Sequence, residues 1–285
     1  MTKDEQIIFL IKNALAEDIG DGDHSTLSTI GYNTKGRAVL KIKQGGILAG
    51  MDVARSIFNY MEPEAIFTPQ KKDGEAMSFG DQAFEVSAKV HTILQCERLV
   101  LNCMQRMSGI ATLTNTYVSK LKGYNTRLLD TRKTTPNFRV LEKEAVRLGG
   151  AVNHRIGLYD MIMLKDNHID YCGGIKEAIE KAWQYVQANK PGLKIEVETR
   201  SLSDVEKVME TGKVSRIMLD NFSPERITEA LNIIKGKYET EASGGINLEN
   251  LESYAATGVD FISSGAIIHQ AKSLDLSLKA VVEAG

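Results

Sequence analysis

Long apolar runs are missing from this chain. The longest near its start, Ile7 to Ile11, follows Lys3, Asp4 and Glu5 and is too short for a signal core or a spanning helix. No membrane partner is expected, and a cytoplasmic location is. Cysteine is scarce: Cys96, Cys103 and Cys172 form no CxxC pair and no metal-ligand spacing, so all three read as packing residues in a reducing compartment. An excess of charge is absent as well. A net charge of -2 gives no global basic field for nucleic acid, and any positive potential has to be local. No GxGxxG follows a strand-like run, no GxxxxGK[ST] occurs, and no acyl-transfer triad is visible. Low-complexity stretches and flexible linkers are missing too.

What the 285 residues do contain is ample chain for one large or two moderate domains. From Arg127 onward, short β-like runs (127–130, 161–164, 193–199, 216–220, 238–242 and 259–263) alternate with helical patterns near 137–148, 174–189, 202–211, 224–236 and 247–257. Asp130, Lys165, Glu198, Asp220, Ser243 and Gly265 stand at the run ends, and the last four are 22, 23 and 22 residues apart. That is the length of a compact βα unit, and repeated units predict a parallel sheet. Polar residues at every run end favour a closed sheet, a short α/β barrel of about six or seven βα units, over an open one with a single switch point. Residues 1–112 read differently. The stretches 36–44 and 83–91 alternate as antiparallel strands do, which predicts a separate α+β domain. Residues 113–269 then form the barrel, helical spacing over 94–117 connects the two, and a tail near 270–285 is expected to pack with the first domain.

The run ends carry the chemistry. Leu129 to Pro136 ends an apolar run in Thr131, Arg132 and Lys133, and His154, Arg155 and Lys165 close or follow later runs, so one rim gathers cations suited to an anion. Glu198 and Asp220, on adjacent strands, bring two carboxylates within reach of one hard cation or of positive charge developing on a substrate. Helix capping is the alternative for either, although Ser201 and Ser223 are available as caps. The turns Ser243-Gly244-Gly245 and Ser263-Ser264-Gly265 would let backbone N–H groups approach a phosphate, and tight turns without a ligand would explain them equally. The substrates implied are a phosphorylated sugar and a multiply anionic second molecule.

Cys96-Glu97-Arg98-Leu99, Gln105-Arg106-Met107-Ser108-Gly109, Asp130 to Pro136, Asn153-His154-Arg155 and Leu164 to His168 together resemble the quinolinate phosphoribosyltransferases, from Glu17 to Ala266. The resemblance implies an N-terminal open-faced sandwich packed on an α/β barrel. It implies a homodimer, possibly assembled further into a hexamer, and condensation of quinolinate with phosphoribosyl pyrophosphate in the presence of Mg²⁺ to give nicotinate mononucleotide, pyrophosphate and CO₂. Carried over by motif, Arg132, His154, Arg155 and Lys165 bind the quinolinate carboxylates, joined by Arg98 from the neighbouring subunit. Lys133 lies between the two substrates, Glu198 and Asp220 address the ribose hydroxyls and Mg²⁺, and Ser243, Gly244, Gly245, Ser264 and Gly265 hold the 5′-phosphate. One departure is the segment Asp21 to Ser25, longer than the common form. Two alternatives remain: a similar family associated with molybdenum uptake, which shares the phosphoribosyl site but not the acceptor, and a non-catalytic phosphosugar sensor.

Overall fold

The computed structural model describes residues 2–281. In chain order the elements are α1 (Lys3–Ile19), α2 (His24–Thr29), β1 (Lys35–Ile42), β2 (Gly46–Ile47), α3 (Met51–Met61), β3 (Ile66–Pro69), β4 (Ala76–Met77), β5 (Gln82–Lys89) and α4 (Val90–Lys120). Next come β6 (Arg127–Leu129), α5 (Arg139–Leu148), β7 (Ile162–Leu164), α6 (Asp166–Cys172), α7 (Ile175–Asn189), β8 (Ile195–Thr199), α8 (Leu202–Thr211) and β9 (Arg216–Asp220). The chain closes with α9 (Pro224–Ile234), β10 (Glu239–Ser243), α10 (Leu251–Ala255), β11 (Phe261–Ser263), α11 (Ala266–His269) and β12 (Leu276–Ala280). By contact the chain divides into two compact units. One holds the chain up to Asn115, Thr134–Gly150 and the part from Ile268 on; the other holds Thr116–Lys133 and Ala151–Ile267. The boundaries expected from the sequence placed 134–150 with the barrel, whereas its contacts group it with the N-terminal residues.

The first unit is built on a four-stranded antiparallel sheet of order β12-β1-β5-β3. Alternation selects its buried face: Ala38, Leu40 and Ile42 of β1 are buried, and Ala38 and Leu40 lie in register with Val86 and Phe84 of β5. The apolar stripe of α3 (Val53, Ala54, Ile57, Phe58) is buried. Phe58 meets Phe84 edge-on at 6.1 Å between ring centres, and Phe67 meets Phe84 at 4.4 Å, contacts worth about 0.5–1.5 kcal/mol each beyond area burial. The long segment around Asp21 has a local use. Asp23 caps α2, accepting from Thr26 N–H at 3.1 Å, and the Thr26 bonds hold its carboxyl below the usual range.

The second unit is a six-stranded parallel sheet of order β6-β11-β10-β9-β8-β7. Sequence neighbours are spatial neighbours from β7 to β11, and the last strand returns beside β6. A single bridge joins Leu129 to Val152, and no ladder joins β6 to β7 among the described residues. The sheet has one apolar face and one charged face, set by the period of two. Ile195, Val197, Ile217, Leu219, Ala242 and Ile262 point one way, and α7 and α8 pack on β8. Glu196 and Glu198, Arg216, Met218 and Asp220, and Glu239, Glu241 and Ser243 occupy the other parity, with Arg216 in register between Glu196 and Glu239 and Asp220 beside Ser243.

Candidate active site

Glu198, Asp220 and Ser243 lie on one face at the C-terminal ends of β8, β9 and β10, Asp220 in register with Ser243 and Glu198 opposite Met218, two residues before Asp220. Capping does not use these carboxylates. Ser201 Oγ accepts from Asp204 N–H at 3.1 Å and Ser223 Oγ from Arg226 N–H at 3.4 Å, so the serines start α8 and α9 themselves. Burial raises the Glu198 pKa, and the neighbouring Asp220 charge raises it further, while Lys165 Nζ, 3.9 Å from its carboxylate, opposes both. Asp220 accepts from Asn221 Nδ2 at 2.6 Å. Two partly buried carboxylates in mutual repulsion, with hard oxygen donors, fit a divalent cation such as Mg²⁺.

The glycine turn after β10 is built around Asn221. Gly244 and Gly245 have φ of +99° and +63°, and a Cβ at Gly244 would collide with Asn221 Oδ1, so only glycine fits there. Nothing lies within 4 Å of a Cβ built at Gly245, which leaves its backbone open. Ser264 is buried, donates from Oγ to the Ile246 carbonyl at 2.9 Å and from N–H to the Leu129 carbonyl at 3.0 Å, and so ties the two turns together. The expected helix over 247–257 is shorter. Asn247 and Asn250 side chains accept from the backbone N–H groups of Glu249 and Asn247, and the helix begins only at Leu251. The cradle at Ser243 to Gly245 therefore rests on turn geometry, not on a helix terminus.

The cations lie after β6 and the Val152 bridge. Thr131 Oγ1 accepts from Lys133 N–H at 3.1 Å and fixes the turn carrying Arg132 and the exposed Lys133. The next residues are anchored separately: buried Glu142 accepts from Thr135 N–H at 2.8 Å and from both Nε and Nη2 of Arg106 at 3.0 and 2.8 Å. Arg155 is 9% exposed and donates from Nη1 to the Met161 carbonyl at 3.3 Å. Burial lowers its pKa and the like charge of Arg132 lowers it further, so two guanidinium groups share a place that favours an anion. Asp130, fully buried, grips the segment beyond the bridge, accepting from Asn153 Nδ2 and His154 N–H, each at 2.7 Å.

The His154 imidazole turns toward the charged face of the sheet, with Nε2 3.0 Å from Glu196 and 3.3 Å from Glu241. Burial disfavours the cation, but the two carboxylates prevail and raise its pKa to about 9. Nδ1 stands 2.6 Å from the Arg155 backbone nitrogen, whose N–H only an unprotonated ring nitrogen accepts. Glu196 is itself raised to about 7 by burial and by Glu241. Nε2 thus faces the two carboxylates while Nδ1 faces the Arg155 N–H. Glu196, Glu241 and Arg216 are functional-site neighbours that the sequence reading did not single out. Their signal was charge at alternate positions inside strands of a parallel sheet, where continuous apolar runs are normal. Arg98 is exposed on α4, in the first unit.

A parallel α/β sheet with carboxylates, a glycine turn and paired arginines near its strand ends suits a phosphorylated sugar and an anionic partner. The profile of the quinolinate phosphoribosyl transferase N-terminal domain matches residues 23–108, and that of the C-terminal domain matches 110–279. The chain belongs to the quinolinate phosphoribosyltransferase family. It is 41% identical over 289 residues to quinolinate phosphoribosyltransferase [decarboxylating] 1b of Nicotiana tabacum, covering 96% of this chain and 82% of the relative. It is 43% identical over 271 residues to a probable nicotinate-nucleotide pyrophosphorylase [carboxylating] of Synechocystis, covering 94% and 90%. Among solved structures, NadC from Streptococcus pyogenes superposes with a TM-score of 0.90 at 40% identity, covering 99% of each chain. The nicotinate-nucleotide pyrophosphorylase from Francisella tularensis does so with 0.90 at 38% identity, covering 99% and 98%.

Proposed function

We propose that this chain transfers the phosphoribosyl group of phosphoribosyl pyrophosphate to the ring nitrogen of quinolinate with loss of CO₂, giving nicotinate mononucleotide and pyrophosphate for NAD biosynthesis. The observation that carries this reading is the pairing of an arginine site, Arg132 with Arg155, with the carboxylate pair Glu198 and Asp220 in a chain of this family. Breaking the anomeric C–O bond builds positive charge on the ribose, which Glu198 and Asp220 stabilise. Arg132, Arg155 and Lys165 hold and orient the acceptor dianion, Lys133 lies between the two substrates, and Ser243 to Gly245 with Gly265 receive the 5′-phosphate on backbone N–H groups. Thr131 and Ser264 support these turns. His154 serves the acceptor through its backbone link to Arg155, since its ring is engaged by Glu196 and Glu241. Glu198 and Asp220 would hold Mg²⁺, which supplies positive charge to the leaving pyrophosphate. Once the ring nitrogen is alkylated and cationic, the adjacent carboxylate leaves as CO₂ and its bonding pair remains on C2 as a stabilised ylide, which takes a proton from water, so decarboxylation needs no dedicated base.

The strand order, with β11 returning beside β6, supports a short barrel closed past Val152, and the antiparallel sheet of the first unit supports an open-faced sandwich. The exposed position of Arg98 on α4 supports its service to the neighbouring subunit's site in a homodimer. The three unpaired cysteines support a reducing compartment. No helix among the described residues is long and apolar enough to cross a membrane. The test is incubation with Mg²⁺, phosphoribosyl pyrophosphate and either quinolinate or nicotinate. Nicotinate mononucleotide should form from quinolinate and barely from nicotinate, which leaves cations unpaired. Comparable turnover of the two acceptors sinks the reading.

A further inference from the structure

Beneath the row of strand-end residues lies a second, buried layer that the reaction itself does not use: Glu196 on β8, Arg216 on β9 and Glu241 on β10, none more than 7% exposed. Three charged side chains in an interior are costly unless each is matched. Arg216 matches Glu241, Nη1 to Oε2 at 3.0 Å, and reaches Glu239 with Nη2 at 3.1 Å, while its guanidinium stacks on the Phe261 ring at 4.2 Å. Glu196 has a different partner, His154 Nε2 at 3.0 Å, nearer than the 3.3 Å to Glu241, whose same oxygen already receives Arg216. The imidazole is thus held from inside the sheet by Glu196. It is held from outside through its own backbone N–H by Asp130, and at Nδ1 by the N–H of Arg155. Each of these contacts fixes the peptide that carries Arg155.

We propose that Glu196 is a positioning residue for the acceptor site: through its close ion-pair contact with His154 Nε2 it locks the imidazole, and with it the His154–Arg155 backbone that sets the Arg155 guanidinium against Arg132. Two like-charged guanidinium groups repel, and in the absence of an anion a loosely held Arg155 would swing away from Arg132. Preorganisation of this kind lowers the cost of binding, so its loss appears in the affinity for the acceptor and not in the bond-breaking step. The charged groups facing the His154 ring are Glu196 and Glu241, with Ser263 and Arg216 in turn acting on Glu241, while Asp130 after β6 meets its backbone N–H. The position one strand step along from Glu196 is the rim residue Glu198, so one strand supplies the ribose-facing carboxylate and, a layer below, the anchor for the acceptor-facing cation.

This inference rests on quinolinate as the acceptor, and the experiment separates the two. Calorimetric titration of quinolinate into the native chain, Glu196→Ala and Glu196→Gln is paired with steady-state kinetics. Glu196→Ala should weaken quinolinate binding and raise its KM about tenfold or more, leaving the KM for phosphoribosyl pyrophosphate and kcat within about threefold. Glu196→Gln, which keeps an oxygen of the same reach against Nε2–H, should restore binding to within about threefold of native. Native protein that does not bind quinolinate overturns the functional reading and this inference with it. Native binding with an unchanged Kd in Glu196→Ala, or a glutamine that fails to rescue, overturns the positioning role alone. Should the alanine chain not fold, ¹⁵N spectra of histidine-labelled native protein decide: His154 should carry a proton on Nε2 and accept at Nδ1, and a ring protonated on Nδ1 alone overturns the proposal.

Discussion

Gly244 lies directly against Asn221: Asn221, itself at φ +55°, donates its backbone N–H to the Ser243 carbonyl at 2.8 Å and its side-chain amide to Asp220 at 2.6 Å. One asparagine thus couples the Asp220 carboxylate to the glycine turn. Gly244→Ala drives a methyl into Asn221 Oδ1 and imposes a positive φ on alanine, a strain of about 1–3 kcal/mol. The variant should show a KM for phosphoribosyl pyrophosphate raised about tenfold or more, a lower kcat and an unchanged KM for quinolinate. Gly245→Ala, with open space at its Cβ, should be the milder of the two in the same assay.

The carboxylates and the arginines should separate kinetically. Glu198→Gln and Asp220→Asn remove charge that matters only as the anomeric bond breaks, and kcat should fall by about 10²-fold with little change in the KM for quinolinate. Arg155→Ala should raise that KM by about an order of magnitude or more, the loss of a charge-assisted contact worth about 1.5–3 kcal/mol. A Glu198→Gln chain with normal kcat and weakened quinolinate binding would refute this division.

Service of Arg98 in trans predicts complementation. Arg98→Ala and Lys165→Ala chains, each inactive alone, should regain activity on mixing, through hybrid dimers with one intact site. Mixtures that exchange subunits yet stay inactive place Arg98 in its own subunit's site.

The thiols should behave unequally. Burial pushes Cys96 and Cys103 up to about 12, so neither forms thiolate at neutral pH, whereas Cys172 is only partly buried. Alkylation of the native protein at pH 8, read by mass spectrometry, should modify Cys172 alone, and all three cysteines after denaturation. Rapid native labelling of Cys96 or Cys103 would contradict their buried state.

Much of the second unit was legible because apolar runs ended in polar residues at regular spacing. Glu198, Asp220 and Ser243 stand out that way, and the strand at 216–220 matches its expected bounds to the residue. The buried layer was not legible, because pairing Glu196 with His154 and Glu241 with Arg216 depends on strand register, and register is a property of neighbours distant in sequence. The direction of the His154 ring was hidden for the same reason: its partners lie 42 and 87 residues further along the chain. Asp130 is recognisable as a run end, but its grip on Asn153 and His154 spans two segments that only folding brings together. The late start of α10 comes from asparagine side chains competing for backbone N–H groups, a local signal that the helical periodicity over 247–257 masked.

The most direct test of the account traces the C2 carboxylate of quinolinate. With that carbon labelled, and with Mg²⁺ and phosphoribosyl pyrophosphate present, the native chain should release one labelled CO₂ for each nicotinate mononucleotide formed, and none without phosphoribosyl pyrophosphate. Label retained in a nucleotide product, or no nucleotide formed from quinolinate at all, would contradict it.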